Sequence, residues 1–86
     1  MFTRRIRVIM TSSCWKEVTV RSIVYLHMQA KTRILKRKMI LILDPKMREI
    51  PHDGDVLKVW GVFKGRSQSF RIFQVSHVRR EQENIS

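Results

Sequence analysis

Between positions 31 and 38 the chain places five cations, Lys31, Arg33, Lys36, Arg37 and Lys38, with no acid among them. A second basic stretch, Lys64 and Arg66, opens a polar run to Ser69 that has Phe63 before it and Phe70 after it. Cations bind phosphates and release their counterions, and aromatic rings beside them give bases a face to stack on. Basic loops bordered by aromatics therefore point to a polyanion that carries bases. The blander reading of the 31–38 run is a solvated hairpin, with Lys36, Arg37 and Lys38 as gatekeepers for the apolar residues that follow.

The whole-chain charge favours the first reading. Eighteen Lys and Arg stand against seven Asp and Glu, a formal net charge of +11 on 86 residues. A small folded protein this basic repels itself, so the excess implies an anionic partner, nucleic acid before anionic lipid. The excess is concentrated early: residues 1–43 hold ten cations and only Glu17, whereas residues 44–86 hold eight cations and six acids.

Period-two alternation sorts the aromatic candidates. Trp60 shares a strand face with Lys58, so if the lysine points to solvent the indole does too, as a stacking platform. The competing reading packs Trp60 against the N-terminal residues or a second copy. Tyr25 falls with Arg21 and His27, as a base platform or a rim residue with a wet hydroxyl. Phe73 shares the face of Arg71 and is expected outside, with Phe70 opposite. Trp15 is read as a plug at the end of the fold.

Catalysis is not expected. The single thiol, Cys14, falls in an expected loop, the acids are few and near turns, and no phosphate-cradling glycine loop is present. His27, His52 and His77 stand apart from Cys14 and from any paired carboxylates, so no metal site and no cofactor is expected. One cysteine also excludes an intrachain disulfide, consistent with a reducing compartment. The apolar run behind Arg4 and Arg5 is too short for an export signal and no membrane-spanning run exists, which predicts a soluble intracellular protein with no membrane partner.

Strands must position these groups. Residues 5–10 alternate imperfectly, as an extra strand or a basic arm, and residues 11–13 break the pattern. Residues 15–28 alternate over a long span, with Val18, Val20, Ser22, Val24, Leu26 and Met28 on one face, which predicts one long strand. Met39–Leu43 is a continuous apolar run that suits a central strand and stops at Asp44 and Pro45. Met47–Ile50 is a candidate short strand. Residues 53–79 read as a hairpin about the Lys64–Ser69 loop. The expectation is all-β: a small five-stranded closed or partly open Greek-key barrel with little helix, which hides its edges better than an open sheet. It spans residues 15–80, with a basic arm or extra strand at 1–14 and a polar tail at 81–86.

In three pieces the chain resembles the oligonucleotide/oligosaccharide-binding (OB) fold, closest to single-stranded-DNA-binding domains of the replication protein A and telomere-capping kind. Val18–Val24 resembles the first strand of that family. Met39–Asp44 resembles the third, ending in an acid. Gly54–Phe63, with Gly54 and Asp55 ahead of an apolar strand and Gly61, resembles the fourth, and Phe70–Val78 the fifth. Two positions depart from the family: Ser22 where a glycine often lets the first strand bend, and Asp44–Pro45–Lys46 in place of an acidic glycine turn. The resemblance implies a ligand crossing strands two and three, flanked by the loops after strands one and four, which here are residues 29–38 and 64–70.

The expected function is non-catalytic binding of single-stranded DNA, or unpaired RNA, largely without sequence preference. Arg21, Lys31, Arg33, Lys36, Arg37, Lys38, Lys58, Lys64, Arg66 and Arg71 would meet phosphates, and Tyr25, Trp60 and Phe73 would stack. Homodimerisation or a partner subunit would raise the affinity of so small a domain. The alternatives are a small basic RNA-binding protein associated with translation, or an OB subunit docking other proteins in a replication- or telomere-like assembly. A barrel of SH3 type would also satisfy five strands with short turns.

Overall fold

The computed structural model describes residues 3–46 and 51–81, and residues 13–15 by their backbone alone. Alternating β-branched and aromatic residues form five strands: β1 (Arg4–Val20), β2 (Ile23–Thr32), β3 (Lys38–Leu43), β4 (Val56–Ser67) and β5 (Phe70–Arg80). They close into a barrel in the order β1-β2-β3-β5-β4. Every pairing is antiparallel except β3 with β5, which is parallel and sets Leu41 beside Phe73. Closure leaves no edge around the ring. The candidate strand at 47–50 and the tail beyond Glu81 lie outside the described residues.

The core follows the pleat. Val8 and Met10 of β1, Leu26, Met28 and Ala30 of β2, Met39, Leu41 and Leu43 of β3, Leu57 and Val59 of β4, and Phe73 and Val75 of β5 are buried together. Full burial of such a side chain contributes about 1.5–3 kcal/mol. Phe63 closes over the cluster, its ring edge-on to Phe73 at 4.9 Å and 69°. At Gly61 the neighbouring strand is so near that an added Cβ would lie 1.9 Å from the Gln74 carbonyl oxygen. Only glycine fits there. Here β5 carries an irregularity, because Trp60 pairs with His77 while Gly61 pairs with Val75.

Several expectations are corrected by this arrangement. Residues 15–28 are not one strand: Arg21 and Ser22 form a two-residue turn with φ of 50° and 66°, which joins β1 to β2. The turn resets the alternation, since Val20 pairs with Ile23 and Val18 with Tyr25. Directly paired residues share a face, so Val18 lies with Tyr25 rather than with Leu26. Of the two readings of residues 1–14, an arm or a strand, the strand fits from Arg4 onward, and the barrel begins there rather than at residue 15, because β1 pairs with β4 from Arg4 to Ile9. The expected break at 11–13 is a pair of register shifts inside β1, and the backbone of Cys14 lies in that strand rather than in a loop. The long β4–β5 loop shrinks to Gln68 and Ser69, because β4 runs on through Ser67 past an irregularity at Lys64. Gly65 takes a φ of 131° beside it, a conformation glycine adopts without strain.

Candidate nucleic-acid interface

The turn between β2 and β3 and the turn between β4 and β5 meet over one mouth of the barrel. There Arg37, Lys38, Arg66 and Arg71, with Gln68 and Ser69, line a cleft of about 290 Å³. The strands impose this crowding. Arg66 and Arg71 are direct cross-strand partners, and Lys38 is the direct partner of Lys31 on β2. Like charges placed opposite one another on a sheet are destabilising. None of Lys31, Arg37, Lys38, Arg66 and Arg71 has an acidic partner among the described residues. The positive field of Arg37, then partial burial, then the field of Arg66 lower the pKa of Arg71. Lys38 lies 5.8 Å from the centre of the Phe70 ring. Each such cation gains by meeting an anion.

The other sequence candidates are scattered around the barrel. Lys58 pairs across its strands with Arg7 and Arg79, a row of three cations, two of which are answered from within. Glu81 takes Arg7 at 3.2 Å, Arg33 at 3.0 Å and Lys58 at 3.5 Å. Its own amide donates to the Val56 carbonyl, which holds it at the end of β5. Arg33 and Lys58 therefore already have a counter-charge.

Trp60 points outward beside Lys58, as expected, and is half-buried. It lies in a row with Arg5 and His77, its ring tilted 47° to the imidazole at 5.0 Å. That row belongs to the β1–β4–β5 wall and contributes nothing to the lining of the cleft. Tyr25 stands on the β2–β3 wall and lines a shallow pocket of about 360 Å³ with Ile42, Asp44, Lys46, Gln74, Val75 and Ser76. Lys64 is exposed on β4, Lys36 is exposed in the β2–β3 turn, and Arg21 is exposed at the tip of the β1–β2 hairpin. Phe73 is wholly buried, so its expected stacking role is overturned: the core claims the ring. Arg71 keeps its parity but sits at the barrel mouth, where the same inward direction leads into the cleft. The side chain of Trp15 lies outside what is described.

Sequence reasoning placed Gln68 and Ser69 in the flanking loop 64–70 without singling them out, and it missed Gln74, Asp44 and Lys46 beside Tyr25. Strand register, which brings β3 next to β5, is the missing signal. Among the described residues, no group of His, Cys, Asp and Glu is close enough to hold a metal ion. No helix of the described residues is long and apolar enough to cross a membrane. Comparison with protein-family models, with curated proteins and with solved structures gives no match. The fold and its surface thus define a small closed β-barrel whose basic mouth no acid among the described residues neutralises.

Proposed function

We propose that the barrel binds single-stranded nucleic acid, its phosphates held in the cleft of Arg37, Lys38, Arg66 and Arg71 and its bases laid along the β2–β3 wall toward Tyr25. The carrying observation is the direct opposition of Arg66 and Arg71 in a cleft with no acid among its described lining residues. The fold gains nothing from this arrangement, whereas an anion bound there gains from every group. Five strands closed into a barrel, with ligand-facing residues on the second and third strands and on the β4–β5 turn, fit an OB-type barrel. The wall offers Lys31 and Gln29 next to the cleft, then His27 further along β2, paired with Lys38, Ile40 and Ile42 of β3, and Tyr25 beyond them. Trp60, on the other side, supplies a second aromatic platform for a strand long enough to wrap.

The test is fluorescence anisotropy of labelled oligo-dT and oligo-U at low and high salt. Binding is expected to weaken with salt at a log–log slope of about −3, from roughly 0.7 per phosphate for four cleft cations. Absence of binding to either oligomer at low salt would overturn the proposal. Equal affinity for the two would define a binder of single strands that does not read the sugar.

A further inference from the structure

The apex of the β2–β3 turn carries the two most exposed large apolar residues in the described chain, Ile34 at 86% and Leu35 at 68% exposure. They stand on a fixed mount. The Thr32 amide donates to the Arg37 carbonyl at 2.9 Å, the Lys36 amide to the Thr32 carbonyl at 3.1 Å, and the Arg37 amide to Thr32 Oγ1 at 2.9 Å. On the opposite flank the Arg33 amide donates to the Arg7 carbonyl, and its guanidinium is held by Glu81. Two aliphatic side chains are thus presented to water on a braced turn, two to four residues before the cleft cations Arg37 and Lys38.

We propose that Ile34 and Leu35 form an apolar wedge against the end of a base-paired stem, so that the protein prefers junctions between duplex and single strand. This inference rests on the nucleic-acid reading above. The single-stranded arm occupies the cleft, and the wedge covers the last base pair, whose outer face is apolar and has lost its stacking neighbour. Aliphatic side chains act in this way where proteins unstack bases, and Leu and Ile need no aromatic face to do so. The distribution of charge favours a nucleic acid over a lipid surface. Besides the cations at the turn, Arg4, Arg5, Arg21 and Arg79 are exposed on other walls and at the hairpin tip, which one flat membrane cannot meet at once.

The experiment compares three DNA probes at one salt concentration: oligo-dT, a hairpin stem carrying the same dT tail, and the blunt stem alone. Wild-type protein is expected to bind the tailed stem about tenfold more tightly than either of the others. Replacing both residues, Ile34→Ser with Leu35→Ser, is expected to abolish that preference and leave oligo-dT affinity within about twofold, since neither side chain supports the core. Equal affinity of the wild type for tail and tailed stem, a blunt stem bound as tightly as the tailed one, or a preference that survives in the double variant would each overturn the wedge while leaving single-strand binding intact. Loss of wild-type sedimentation with phosphatidylserine vesicles in the double variant would overturn it in favour of lipid. No binding to oligo-dT at all would overturn the nucleic-acid reading and the wedge together.

Discussion

Two groups of cations, built alike, differ in one residue. Arg7, Lys58 and Arg79 lie in a row across three strands, just as Arg66 faces Arg71 and Lys31 faces Lys38. Glu81 reaches the first group and binds Arg7, Lys58 and the incoming Arg33, so that row becomes a clasp between β5, β1, β4 and the β2–β3 turn. No acid among the described residues reaches the second group. Cross-strand repulsion is therefore offset by the fold itself in one place and left standing in the other. The lesson is that a cation count does not locate a binding site: the informative cations are those the protein fails to neutralise.

Emptying the cleft is the strongest way to test that contrast. Arg66→Ala with Arg71→Ala is expected to weaken oligo-dT binding by about 10- to 100-fold at low salt, and to reduce the salt slope by about 1.4. Thermal stability should not fall, because the two guanidinium groups repel each other in the free protein. A clear drop in melting temperature would show that they support the fold instead. Converting the clasp into a second open patch should do the reverse. Glu81→Gln is expected to lower the unfolding free energy by about 1 kcal/mol, since its pairs are partly solvent-screened. The same change should tighten oligo-dT binding by about threefold through the released cations. Unchanged denaturant midpoint and affinity would break the comparison.

The smallest effect lies on the wall between the two groups. Partial burial, and secondarily the charge of Lys16, lower the pKa of His27 from its ordinary 6.5. As pH falls below 6.5 the unfolded chain therefore takes up this proton before the folded one does. Its contribution to stability is complete above 6.5 and is lost as pH drops through the lowered folded value. Denaturation midpoints measured from pH 7 downward should show that decline in the wild type and a flatter profile in His27→Gln. An identical slope in both proteins would remove His27 as its source.

The all-β barrel was legible because its apolar residues alternate, and the outward placement of Trp60 beside Lys58 followed from the same count. The hairpin ending in β5 and the central strand β3 were legible too, bounded by glycine, proline and acidic residues. The first hairpin was not. Arg21 and Ser22 adopt left-handed conformations usually taken by glycine or asparagine, so their residue types do not announce a turn. Alternation ran on through them and joined two strands into one. Phe73 went to the wrong side because Arg71, two residues away, was taken to mark solvent, whereas at a barrel mouth the inward face is itself open. Arg33 and Lys58 looked free because Glu81 belonged to an apparent tail, and their pairing depends on strands far apart in the chain. The cleft cations were all recognisable as cations. Their meeting was not, since it depends on β3 lying beside β5.

The pairing of β1 with β4 joins Arg4 to Gly61, so during synthesis β1, β2 and β3 exist before the strand that must cover the outer edge of β1. For that interval the nascent sheet has an open side, a template on which another copy could add a strand. The residues along that side include Arg4, Arg5 and Arg7, whose charge repels an identical edge. The cations at the start of β1 thus guard that open side against misassembly until β4 covers it.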